Sequence, residues 1–175
     1  NLTKDLAIGL LTSQTDAEKI KVQHGIARTE LVHGHQMVEV PSVGDRPPRQ
    51  FTRRDIAEIL EPRVEEMFDL VKREIVRAGY EGMLGAGVVI TGGTSLLEGM
   101  PDAAERGLNL PARRGMPTGI GGLRDIVSNP MHATGVGLLL HARQHADNLE
   151  AAGIRHGKGL GKVFDRMRSW MFEFF

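Results

Sequence analysis

Apolar positions along the chain recur at helical spacing in some stretches and alternate in others. Leu6, Ala7, Leu10 and Leu11 predict a helix over Thr3–Leu11 with Thr3 as its N-cap. Ala17 and Ile20 predict a second helix opening at Thr15 and stopping at Gly25. The run Leu31-Val32-His33 and the alternation Met37-Val38-Glu39-Val40 then read as short strands, and Pro41 to Arg49 as a loop broken by Gly44 and the Pro47-Pro48 pair. From Thr52, the positions Ile56, Leu60, Val64, Met67, Val71 and Ile75 step by three or four and define one buried stripe that Gly79 ends. Pro62 lies inside that stripe, lacks an amide and crowds the turn before it, so a kink or a division into two helices is expected there.

The second half continues in the same style. Gly87-Val88-Val89-Ile90 is a short buried strand, followed by Thr91-Gly92-Gly93-Thr94-Ser95 and a helix near Asp102 to Arg106. Gly115 to Gly122 reads as a glycine-rich loop, Ala133 to Leu140 as an apolar helix after Asn129-Pro130, and Asn148 to Gly161 as a linker. In the last segment Val163, Phe164, Met167, Trp170, Met171, Phe174 and Phe175 share one helical face, opposite Lys162, Asp165, Arg166, Ser169 and Glu173. Arg168 stands at the boundary, where its stem can reach the polar side. Such a helix either packs on its own domain or lies in a membrane surface. The linker glycines Gly153, Gly157, Gly159 and Gly161, and the density of large apolar side chains, favour the membrane. Lys162, Arg166 and Arg168 would each add about 1 kcal/mol against an anionic leaflet. The segment is too short to span a bilayer.

Composition narrows the partners more than the fold. Lys and Arg number 22 and Asp and Glu 22, so no global basic surface points to nucleic acid. The absence of cysteine excludes disulfides and thiolate metal sites. The chain of 175 residues is long enough for one real core. It opens on Asn1 and runs at once into helix-like sequence, so further chain is expected ahead of it.

The strand-to-turn step at Gly92-Gly93 is the strongest chemical feature. Glycines there free the backbone to approach a phosphate or a base, although they also serve sharp packing alone. The Walker pattern is missing: only three residues lie between Gly157 and Gly161, and Val163 stands where a hydroxyl is needed. His141 and His145 have metalloprotease spacing, but Ala142 occupies the place of the general base, so they read as a solvated face, as do His33 and His35. Arg49, Arg53, Arg54 and Arg63 gather around a helix start, balanced by Asp55, Glu58, Glu61, Glu65 and Glu66.

Four runs in order carry a resemblance: Asp16 to Gly25, VEVPSVGDRPPR over Val38 to Arg49, GVVITGGTSLLEGMP over Gly87 to Pro101, and NPMHATGVGLLLHA over Asn129 to Ala142. The third is similar to the adenosine motif of the actin, Hsp70 and sugar-kinase superfamily. All four together resemble the bacterial cell-division FtsA family, across essentially the whole chain.

The resemblance implies an α/β fold: the second, C-terminal lobe of an actin-like ATPase, ending in an amphipathic helix. It implies an upper subdomain over 1–60, a lower one with the adenosine motif over 61–147, a linker over 148–161 and a membrane-targeting helix over 162–175. Glu18 and Lys21 would meet the ribose of ATP, and Gly92, Gly93 and Thr94 the adenine and α-phosphate. Three-residue spacing places Glu18 and Lys21 on one helix face, while Thr15-x-x-Glu18 also fits a capping box. Magnesium would belong to the intact parent. The phosphate loops of the fold are not in this sequence, so no ATPase activity is expected of the chain itself.

Arg49 and Arg63 sit in stretches resembling the region that receives the C-terminal tail of the tubulin-like FtsZ, and forked guanidinium donors suit an acidic peptide. The resemblance further implies self-association into actin-like filaments and a place on the cytoplasmic face of the cell membrane at the division septum. Another actin-superfamily lobe, from a pilus-assembly homologue or a sugar kinase or Hsp70-like ATPase, is the alternative.

Overall fold

The computed structural model describes residues 1–44, 46–119 and 127–151. Residues Asn1–Ala133 form one compact unit, and a second begins at Thr134.

The chain opens with α1 (Leu2–Leu10), which buries Leu2, Leu6 and Leu10 at a spacing of four. Its N-cap is Asn1, so Thr3 lies within the first turn instead of capping it, and its hydroxyl is free for contacts outside α1. Helix α2 (Gln14–His24) opens one residue earlier than expected, because Ser13 is its cap. The Asp16 amide donates to Ser13 Oγ at 3.1 Å, and Ser13 Oγ donates to Asp16 Oδ2 at 2.8 Å. Ser13-x-x-Asp16 therefore does the capping, and Glu18 is released from that role.

The expected strand at Leu31-Val32-His33 is absent; Thr29–Leu31 forms a turn of 3₁₀ helix instead. The cause is local: the Thr29 amide and hydroxyl donate to Glu61 at 3.1 and 2.7 Å, which pulls the segment onto the next helix. Strand β1 (Met37–Val40) pairs antiparallel with β2 (Arg49–Thr52), Met37 opposite Thr52 and Val40 opposite Arg49. Val38 and Val40 point inward, while Met37 and Glu39 face out, as a two-residue period requires.

Helix α3 (Arg53–Arg77) is continuous for 25 residues, so Pro62 does not divide it. The carbonyl that Pro62 leaves without an amide belongs to Glu58, an exposed residue, so the lost bond falls on the solvent side of the helix. Thr52 closes a full capping box with Asp55. The buried stripe is Ile56, Leu60, Val64 and Phe68; Met67 and Val71, expected inside, are 38% and 46% exposed. The Phe68 ring decides this, since it lies directly on α4 (Met100–Leu108), where a side chain on Gly107 would come within 2.7 Å of Phe68 Cβ.

Strand β3 (Val88–Ile90) pairs in parallel with β4 (Ala112–Arg114), and α4 makes the crossover. Between β3 and α4 lies a 3₁₀ turn, Gly93–Leu96. A further turn, Pro130–His132, is capped by Asn129, whose side chain accepts from the Met131 amide. In α5 (Ala133–Ala151) helix continues past Asn148, so the first four residues of the expected linker are helical.

One cluster of buried side chains runs from Leu2 through Val38, Leu60 and Phe68 to Leu108, and α3 crosses residue 60 without interruption. The rest of the expected linker and the amphipathic segment 162–175 lie outside the described residues, as does part of the glycine-rich loop.

Candidate functional site

Ala17 and Ile20 turn one face of α2 into the core, which leaves Glu18 and Lys21 side by side at its edge. There they meet Thr3 of α1. Lys21 Nζ donates to Thr3 Oγ1 at 2.9 Å and to Glu18 Oε2 at 2.7 Å, and Thr3 Oγ1 donates to the same Glu18 oxygen. The Lys21 hydrogen bond, and after it that of Thr3, holds the Glu18 carboxyl below its ordinary range, so it is ionised at neutral pH. The triangle uses Glu18 Oε2 and two of the three Lys21 protons. Glu18 Oε1 and one Lys21 proton have no partner among the described residues.

The opposite wall comes from the turn after β3. Gly92 has φ 88° and ψ 168°, a conformation that only glycine adopts without strain. Its amide donates to the Pro130 carbonyl at 3.1 Å, and its carbonyl accepts from the Ser95 amide and hydroxyl at 3.1 and 2.7 Å. Gly92 therefore shapes the turn without lining the groove beside it. Gly93 and Thr94 do line it, at the head of the 3₁₀ turn where amides have no intrahelical acceptor.

These walls enclose a groove of about 490 Å³ that Glu18, Lys21, Gly93 and Thr94 share. Its rim includes Val22, Leu96 and Met131, which are 73%, 43% and 56% exposed. Sequence reading missed these three, together with Arg53 and Glu98, which also line the groove. Leu96 and Glu98 lie inside the run Gly87 to Pro101, and Met131 inside the run Asn129 to Ala142, so membership of those runs was the available signal. The arrangement offers hydrogen-bonding groups at one end and an apolar lip for a flat ring.

The arginines are placed differently from one another. Arg63 Nε and a terminal nitrogen bind the two oxygens of Asp5 at 2.6 and 3.2 Å, and Glu66 takes another of its donors. Arg49 lies over the Phe51 ring at 4.8 Å and borders a separate cavity of about 320 Å³ with Ala7, Leu11 and Thr12. Asp5 and Ala7 are about 200° apart around α1, so Arg49 and Arg63 approach nearly opposite sides of that helix. Arg54 pairs with Glu58 at the surface. The rings of His141 and His145 lie along α5 with centroids 4.6 Å apart, tilted 42° to each other.

Comparison with known proteins assigns this architecture. The structure resembles MreB5 of Spiroplasma citri bound to ADP, with a TM-score of 0.62 at 15% identity, over 85% of this chain and 45% of that one. The AMPPNP-bound form of that protein matches equally well. Both place the chain in the actin-like fold. In sequence, the cell division protein FtsA of Pseudomonas aeruginosa is 40% identical over 97% of the chain, and that of Escherichia coli K12 is 39% identical over the same share. The FtsA of Rhizobium meliloti is 36% identical over the whole chain. The chain spans about 42% of the length of the first two and 41% of the third. Residues 1–137 match the family described as cell division protein FtsA, and the chain belongs to that family.

Proposed function

We propose that the groove between α2 and the Gly93–Leu96 turn is one wall of an ATP site, in a protein that tethers FtsZ filaments to the cell membrane. The observation that carries this reading is that Glu18, Lys21, Gly93 and Thr94, which lie more than seventy residues apart in two pairs, line one groove. The residues fit a nucleoside. Glu18 Oε1 can accept from one ribose hydroxyl while Lys21 donates its spare proton to the other, and Val22, Leu96 and Met131 can flank a base. They do not fit magnesium. The acids of the groove are Glu18 and Glu98, and each already holds a cation. The wall is therefore assigned binding and not hydrolysis, and the phosphates and their metal fall to the remaining length that the relatives possess.

The tethering half of the proposal rests on the amphipathic segment Lys162 to Phe175, with apolar side chains entering the acyl boundary and Lys162, Arg166 and Arg168 meeting anionic headgroups. Among the described residues, no helix is long and apolar enough to cross a membrane. The FtsZ tail is assigned to the surface around Arg49, with Arg63, held by Asp5 and Glu66 on the other side of α1, steadying that helix, and head-to-tail association of the actin-like body supplies the filament. This places the parent protein on the cytoplasmic face of the membrane at the septum.

Titration of ¹⁵N-labelled chain with adenosine and with MgATP tests the groove. Amide shifts are expected at Lys21, Gly93 and Thr94, saturating only at high ligand because one wall acts alone. Shifts confined to the β1–β2 ribbon, or none at Gly93 and Thr94, would refute the assignment.

A further inference from the structure

Arg53 is the first residue of α3 and reaches into three other parts of the unit. Its amide donates to the Gln36 carbonyl at 2.8 Å. Its Nε donates to the carbonyl of His24, the last residue of α2, at 3.1 Å. A terminal nitrogen binds the Glu98 carboxylate. The His24 carbonyl belongs to the end of a helix, where carbonyls lack amide partners and a cation meets the negative pole.

Glu98 closes the circuit. It follows the Gly93–Leu96 turn, its carbonyl accepts from the Ala27 amide at 2.8 Å, and it forms a parallel bridge with Ile26. The segment leaving α2 is therefore tied to the segment leaving the glycine turn twice, once through main chain and once through the Arg53 side chain. Both Arg53 and Glu98 line the groove. Arg53 is only 21% exposed, whereas Arg54, the same residue type one position on, is 62% exposed.

We propose that Arg53 is a positioning residue of this groove, clamping the end of the helix that carries Glu18 and Lys21 to the connection that carries Gly93 and Thr94. The inference rests on the groove being the nucleoside wall. Arginine is required because its fork serves the His24 carbonyl and the Glu98 carboxylate together. The single ammonium of lysine keeps the charge and loses that planar geometry. Thr52 and Asp55 fix the direction from which the fork approaches by locking the first turn of α3.

The test is adenosine titration of the full chain, followed at the Lys21, Gly93 and Thr94 amides, with hydrogen exchange at the Ala27 amide as a ligand-free readout. Arg53→Met is expected to weaken adenosine about tenfold, by analogy with the lower end of the loss when partners that orient metal-ligating side chains are removed. It should also speed Ala27 exchange about tenfold, as local opening becomes easier. Arg53→Lys, which retains the charge and guards against a variant that fails to fold, should fall between the two with its melting temperature unchanged. If the native chain binds adenosine and both variants bind it equally well, the clamp is refuted and the groove assignment stands. If Ala27 exchange is unchanged in both variants, the clamp is refuted whatever the affinity. If the native chain shows no adenosine shift, the groove assignment fails and takes the inference with it.

Discussion

Gly25 links the core to the groove, and replacing it with alanine sets two effects against each other. Its backbone lies at φ −64° and ψ 142°, which alanine adopts freely. On that ground alone Gly25→Ala would stabilise the fold by about 0.4–1 kcal/mol, because the unfolded chain loses freedom. The surroundings say the reverse. A methyl on Gly25 would stand 2.3 Å from the Lys21 carbonyl oxygen and 2.6 Å from Leu97 Cδ1. The leucine methyl is a side-chain end and can rotate away. The carbonyl is backbone of α2 and accepts from the Gly25 amide at 3.0 Å, so either α2 or the strand-like segment after it must move.

Overpacking against a fixed atom costs about 1–3 kcal/mol, so the clash outweighs the entropy gain by about 1–2 kcal/mol. That corresponds to a melting temperature lower by about 3–8 °C. Gly85 is the control, since a methyl there meets nothing within 4 Å and its φ is ordinary. Gly85→Ala should leave the melting temperature level or raise it slightly. Thermal unfolding followed by circular dichroism reads both variants. A Gly25→Ala protein at least as stable as the native one would refute the close approach of α2 to Leu97, and with it the shape of the groove floor.

The remaining predictions concern charge and attachment. The Arg63 hydrogen bond holds the Asp5 carboxyl below its ordinary range, so this ionised pair adds stability above about pH 4 that fades as pH falls through the depressed value. Melting curves from pH 7 to 2 should show Asp5→Asn less stable than the native chain at neutral pH, with the two converging in acid; a constant gap would refute the coupling. Arg49→Ala should weaken binding of an acidic FtsZ tail peptide without lowering the melting temperature, because among the described residues the Arg49 side chain rests on the Phe51 ring and makes no ion pair, whereas Arg63→Ala should lower the melting temperature through loss of the Asp5 pair. Calorimetry showing unchanged peptide affinity in Arg49→Ala would remove that residue from the docking surface. Truncation after Ala152 should abolish flotation with anionic liposomes, and equal flotation of both chains would end the membrane assignment.

The parts of the fold legible in the sequence were those where period and burial agree over several turns. Leu6 and Leu10, Ala17 and Ile20, and Ile56, Leu60 and Val64 all point inward as their spacing required. Elements set by a single long-range bond were not legible. Thr29 to Leu31 turns because Glu61, thirty-two residues on, takes both donors of Thr29, and no local pattern encodes that. Strands β2 and β4 are short and carry Arg49, Arg113 and Arg114, so their composition reads as loop until a partner strand is present. Of the groove, the contributions of Glu18, Lys21, Gly93 and Thr94 were reached through motif resemblance. The Arg53–Glu98 clamp was not, since forty-five residues separate its halves and each looks like an ordinary surface charge.

The capping of α2 bears on how much this wall can contribute to affinity. Had Thr15 and Glu18 formed the capping box, the carboxylate would have been spent on the backbone. Ser13 and Asp16 take that task, yet Glu18 is still not idle, because Lys21 and Thr3 satisfy it in the free protein. A ribose approaching this edge therefore exchanges water for one unpartnered oxygen and one unpartnered proton, and it gains little from relieving a buried charge. Two such bonds and an exposed apolar lip have to offset the lost freedom of the ligand, which by itself costs several kcal/mol. If the groove is the proposed nucleoside wall, weak binding by the chain alone follows from the completeness of the Thr3–Glu18–Lys21 triangle, and tight binding would require groups outside this groove to hold the phosphates.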